Sequence, residues 1–190
     1  MNPTQSAFQA LQSGTYAGTS GELRPWSYYD EITLATGQTN VNIFENAQKT
    51  ISQSNTEGRS ISQGSHYAFD AVKAFYVPAA AKTQANYISI ASFLSSARLI
   101  MEIDNKPNSF EFKLIEIFGE NFPMVITGAV AGDQVTSRSL IPGSRPLFGL
   151  IVLAALTGYR VRIESSVAAP AAVNGDRLLI HFVGAKKSLN

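Results

Sequence analysis

Hydrophobic and polar residues alternate along much of this chain, and a period of two marks strands with one face in a core and the other in water. Past Trp26, Ile32 and Leu34 alternate with Glu31 and Thr33, then Val41 and Ile43 alternate with Asn40 and Asn42, and Gly37 marks a turn between the runs. From Tyr67 to Val77 aromatic and β-branched residues recur at alternate positions until Pro78, which lacks a backbone donor, ends the pairing. This predicts a long, central strand. Arg98–Asp104 and Phe110–Phe118 flank Asn105-Lys106-Pro107-Asn108, whose residue types suit a tight turn, so a hairpin is expected. Phe148–Leu156 is continuously apolar, as in a strand covered on both faces, a signature that a buried helix shares. Tyr159, Val161 and Ile163 alternate with Arg160, Arg162 and Glu164, and Leu178, Ile180 and Phe182 with Arg177 and His181, giving two closing strands with one wet face.

Three segments break the pattern. Residues 1–24 are rich in Gln, Ser, Thr and Gly, with Phe8, Leu11, Tyr16 and Leu23 as larger apolar groups, too few for a core of their own. They are expected to form an extended N-terminal arm held by a neighbouring subunit, with one domain over residues 25–190. Gln48 to Ser65 reads as a polar surface loop. Residues 79–96 place Tyr87, Ile90, Ala91 and Leu94 on one helical face, predicting one short helix inserted between strands. Strands in this number, joined by irregular loops, predict an all-β domain: a single Greek-key β-sandwich or jelly roll of about eight strands.

Composition narrows the possible functions. Charged residues make up only 15% of the chain while 45% is hydrophobic, so much of the surface is neutral. A formal net charge of +1 is too small for a general electrostatic hold on nucleic acid. The absence of cysteine excludes disulfides, thiolate nucleophiles and Cys-ligated metal sites. The first residues lack the pattern of a signal peptide and no apolar run reaches the ~18 residues of a spanning helix, so a cytoplasmic location before assembly is expected.

Catalytic constellations are hard to find. His66 and His181 show no metal-ligand spacing, no G-x-S-x-G turn accompanies the serines, and the 14 glycines are scattered rather than clustered into a phosphate cradle. The carboxylate pairs Asp30/Glu31 and Glu102/Asp104 sit on strand faces or lead into turns. No enzyme activity, cofactor, metal or small-molecule substrate is expected. Arg138, Arg145, Arg160, Arg162 and Arg177, with Lys186 and Lys187, make the second half more basic and are candidate contacts for an anionic partner such as a genome or an internal membrane, although solvated faces and salt bridges explain such clusters more often. Trp26, Tyr28 and Tyr29 stand where arm meets body and, with Phe8, Leu11 and Tyr16, are candidates for anchoring the arm or contacting a subunit.

Several stretches together are similar to a known pattern: Tyr28 to Thr39 passing into Val41-Asn42-Ile43-Phe44, a polar loop with Ser54-Asn55 and Gly58, Gly64 to Val72 feeding a long strand, and a closing Leu178 to Gly184. The chain resembles the jelly-roll capsid proteins of icosahedral, non-tailed bacteriophages. The resemblance lies in pattern rather than in a diagnostic motif, and at 190 residues the chain has room for one jelly roll where many membrane-containing phages use a double one. It implies a structural virion protein that self-assembles into a symmetric shell, with copies of itself and other capsid proteins as partners. Two alternatives stand beside it. One is a carbohydrate-binding β-sandwich using Trp26, Tyr28 and Tyr29 as a stacking platform; the other is a cupin-like enzyme, which needs clustered ligands that two dispersed histidines scarcely supply.

Overall fold

Alternation of β-branched and aromatic residues with polar ones gives strands that bury one side, and the computed structural model assembles them into two four-stranded antiparallel sheets. It describes residues 3–13, 20–45, 49–56, 58–118 and 145–189. In chain order the elements are α1 (Pro3–Gln12), β1 (Gly21–Thr33), β2 (Asn40–Ile43), β3 (Ser65–Val77), α2 (Gln84–Ser96), β4 (Ala97–Ile103), β5 (Lys106–Lys113), α3 (Leu114–Phe118), β6 (Arg145–Leu153), β7 (Tyr159–Ser165) and β8 (Arg177–Leu189). One sheet runs β1-β8-β3-β6 and the other β2-β7-β4-β5. Strand partners are nested: β1 pairs with β8, β2 with β7, β3 with β6 and β4 with β5.

A single large core draws on both sheets. Tyr28 and Ile32 from β1, Phe69 and Val72 from β3, and Ile180 and Phe182 from β8 meet Ile43 of β2, Leu99 and Met101 of β4, and Val161 and Ile163 of β7. The register of β3 shifts between Phe69 and Ala71 against both neighbours, and against β8, where Phe69 faces Gly184 and Ala71 faces Val183, Asp70 is the extra residue of a bulge. Its effect is a change of phase: Tyr67 and Phe69 enter the core before the bulge, Val72 and Ala74 after it. Tyr28, Thr56 and Tyr159 join their hydroxyls inside the core, with Tyr28 to Thr56 at 2.9 Å and Thr56 to Tyr159 at 3.1 Å. Three polar groups are thereby satisfied without water.

The expected strands and the central position of β3 are present, and the apolar run 148–156 is strand rather than helix as far as Leu153, with 154–156 outside it. Four local expectations need correction. The N-terminal segment is not an extended arm: residues 3–12 form α1, which lies on the sheet of its own chain, and the 24/25 boundary falls inside β1. Next, the β4–β5 turn is Asp104-Asn105, both with positive φ (50° and 60°), so Lys106 and Pro107 already belong to β5. Asn and Asp tolerate this left-handed backbone, which matches the right-handed twist of the flanking strands. Then the run Phe110–Phe118 is not all strand, because Leu114, Ile117 and Phe118 bury one side of α3 at helical spacing. Last, the polar loop before β3 is partly internal, with Ile61, Ser54 and Thr56 buried. The inserted helix α2 does bury Tyr87, Ile90 and Leu94, and Phe93 joins them. It starts at Gln84 rather than among the alanines, because Thr83 caps it by accepting from the Asn86 amide.

Candidate interaction surfaces

Three groups of residues were singled out by pattern: apolar residues of the N-terminal segment, aromatics of β1, and the basic residues of the second half. On α1, Ala7 and Leu11 are four apart and fully buried against Ala68 of β3 and Ala185 of β8, with Phe8, Ala10, Leu23, Leu150 and Val152 packed around them. Small residues on the sheet let the helix approach closely. The helix carries no acidic residue in its first turn and no basic residue in its last. Two side chains of the sheet reach the helix: an Asp70 carboxyl oxygen accepts from the Ala7 amide at 3.3 Å, and the Lys187 ammonium donates to the Leu11 carbonyl at 3.4 Å. A cation at a helix C-terminus satisfies an orphan carbonyl and opposes the dipole. Burial raises the Asp70 carboxyl above its ordinary range, partly offset by the Ala7 hydrogen bond. Phe8 and Leu11 therefore anchor the segment to its own subunit. Tyr16 lies outside the described residues.

Strand alternation separates the three aromatics of β1. Tyr28 is buried, stacked on Phe44 at 5.4 Å between ring centroids. Tyr29 points to the opposite face, where it stacks on His181 at 5.3 Å and donates its hydroxyl to the Ile51 carbonyl. Trp26 shares the Tyr28 side and is half-buried, with the Arg24 guanidinium 4.8 Å and the Lys186 ammonium 5.0 Å from its ring. Cations over an indole face are held by its quadrupole. No shared stacking plane exists for the three, so they do not form the platform expected of a sugar-binding site.

Most of the candidate basic contacts are engaged within the chain. Arg162 bridges Glu102 and Glu164, Arg177 pairs with Glu31 at 3.3 Å, Lys187 is buried under α1, and Lys186 lies over Trp26 and Tyr67. Arg160 is exposed and makes no ion pair among the described residues. Arg138 lies outside the described residues, as does the side chain of Arg145. Among the described residues these do not form one patch.

The titratable groups are likewise structural. Asp30, fully buried, accepts from the Phe44 amide at 2.6 Å and pairs with Lys49 at 2.8 Å. Asp176, also fully buried, accepts from the Tyr76 hydroxyl, the Ala79 amide at 2.7 Å and Lys82 at 2.8 Å. Burial and this carboxylate push the Tyr76 hydroxyl far up. His66 takes the Ala155 amide on Nδ1 at 2.8 Å, and burial together with Lys187 lowers its pKa. His181 lies between Tyr29 and Phe75 with Ser27 on Nδ1 at 3.0 Å; burial, then Lys73, brings it down to about 4. Sequence reasoning missed Asp30, Asp70 and Asp176 as anchors. Among the described residues no three His, Asp or Glu side chains gather where they could hold a metal ion.

Comparison with known protein families, characterised proteins and solved structures finds no match to this chain.

Proposed function

We propose that this chain is the jelly-roll subunit of a shell, a structural capsid protein that assembles with copies of itself into an icosahedral phage particle. The nested pairing of strands carries this reading: β1 with β8, β2 with β7, β3 with β6 and β4 with β5 is the pairing of one long hairpin, bent at the β4–β5 turn and rolled so that its strands fall alternately in two sheets. Such a roll is the jelly-roll form of the antiparallel sandwich, which leaves four edge strands and the loops at both ends for contacts. A chain with only 15% charged residues supports the same reading, since neutral groups lose less than charged ones on burial between copies.

With α1 seated on its own sheet, contact between copies is assigned to loops and sheet edges rather than to an exchanged arm. Other capsid proteins are the further partners of this reading, an internal membrane or genome is at most a weak contact, and its place is the virion, after synthesis in the host cytoplasm. It calls for no catalytic group or cofactor. Concentration-dependent light scattering of the purified full chain tests it: growth from the 20.5 kDa subunit to a species of fixed, much larger mass is expected, and a monomer at all concentrations overturns it.

A further inference from the structure

At one end of the molecule the β2–β3 loop, the β4–β5 turn and the start of β7 enclose a cleft of about 470 Å³, lined by Arg59, Glu102, Asp104, Asn105, Tyr159 and Arg160 among others. The walls are fixed to one another by hydrogen bonds. The Asp104 amide donates to the Gly158 carbonyl at 2.8 Å, the Gly158 amide to the Asp104 carboxylate at 3.2 Å, and the Tyr159 amide to the Arg59 carbonyl at 2.9 Å. The left-handed turn then holds Asp104 and Asn105 exposed at the rim.

The charges that line the cleft balance, with Arg59 and Arg160 against Glu102 and Asp104. Arg59 pairs with Glu45 at 2.7 Å yet stays 57% exposed, and Arg162, outside the lining, holds Glu102 and Glu164. Such a cleft has no net pull on an anion, and its polar walls do not suit an apolar ligand. It offers instead forked donors beside carboxylate and amide acceptors on a fixed frame, which matches adjacent hydroxyls that each donate and accept. The volume lies in the range of small-ligand sites.

We propose that this cleft binds a neutral saccharide of one or two residues, with Arg160 and Asn105 facing the ligand and Asp104 accepting from its hydroxyls. The site is separate from Trp26, Tyr28 and Tyr29, and it does not depend on shell formation.

Full-length protein would be applied to an array of neutral glucose-, galactose- and N-acetylglucosamine-terminated oligosaccharides printed beside sialylated and sulfated ones. Binding confined to neutral glycans is expected, falling at least tenfold in Arg160→Ala and Asn105→Gly, the latter keeping the positive φ while deleting the amide. Both variants should melt and scatter light as the parent does, which separates loss of the site from loss of fold or assembly. Silence across the array, binding only to the acidic glycans, or binding unchanged in both variants would each overturn the proposal.

Discussion

Gly184 shows how much can rest on one missing side chain. A Cβ there would stand 2.0 Å from the Ala68 carbonyl oxygen and 2.8 Å from the Phe69 Cα, both main-chain atoms of the paired strand β3. Main chain held in a sheet cannot move aside, so Gly184→Ala should cost about 3 kcal/mol and lower the melting temperature by roughly 6–12 °C, measurable by calorimetry. The histidines give a second prediction at this scale. His66 and His181 both have folded-state pKa values below the ordinary 6.5, so folding favours the neutral rings. That contribution is complete above about pH 6.5 and is lost as pH falls, for His181 down to about 4. Denaturant midpoints should therefore drop across this window, and His181→Asn should flatten the drop. Asp70 works in the opposite sense: its raised carboxyl favours the protonated form in the fold, so mild acid does not by itself loosen α1 through this residue. Little of this was legible beforehand. A glycine at a close approach and a buried carboxylate look in sequence like any other glycine or aspartate.

Strands were the readable elements, because period two in Tyr67–Val77, Tyr159–Glu164 and Leu178–Phe182 reports directly which side is wet. What the pattern hid was α1. Its buried contacts come from Ala7 and Leu11, and alanine carries little weight in a hydrophobicity count, yet alanines at 68 and 185 are what make a close seat possible. A signal did exist on the other side of the contact: β6 is apolar on both faces, since Ile151 and Leu153 enter the core while Leu150 and Val152 lie under the helix. Leu11→Ala should loosen the helix by about 2–3 kcal/mol, seen as faster hydrogen exchange and proteolysis within residues 3–12 while the sheets remain protected. At the far end, Asp176 ties the loops after β3 and before β8 to one another through Ala79 and Lys82, and its carbonyl receives the Leu34 amide at 2.8 Å. Removing its carboxylate in Asp176→Ala leaves the largely covered Lys82 ammonium with the Ala172 carbonyl but no counter-charge, and a loss of about 3 kcal/mol is expected in chemical denaturation.

For the molecule as a whole, the nested strand pairing is the feature on which the proposed shell role rests. Patterning located the strands of the described residues and many of the positions that face inward, but pairing order depends on contacts far apart in the chain, which local periodicity does not encode. The candidate contact residues illustrate the same limit. Phe8 and Leu11 bind their own subunit, Tyr28 is core, and Arg162 and Lys187 are held internally, because which face a residue joins is decided by the fold and not by its type. We propose that this sandwich is repeated in a closed shell. Negative-stain electron microscopy of the purified full chain tests it most directly: uniform hollow particles of one diameter are predicted, and a field of single 20.5 kDa subunits at every concentration and salt condition tried would contradict it.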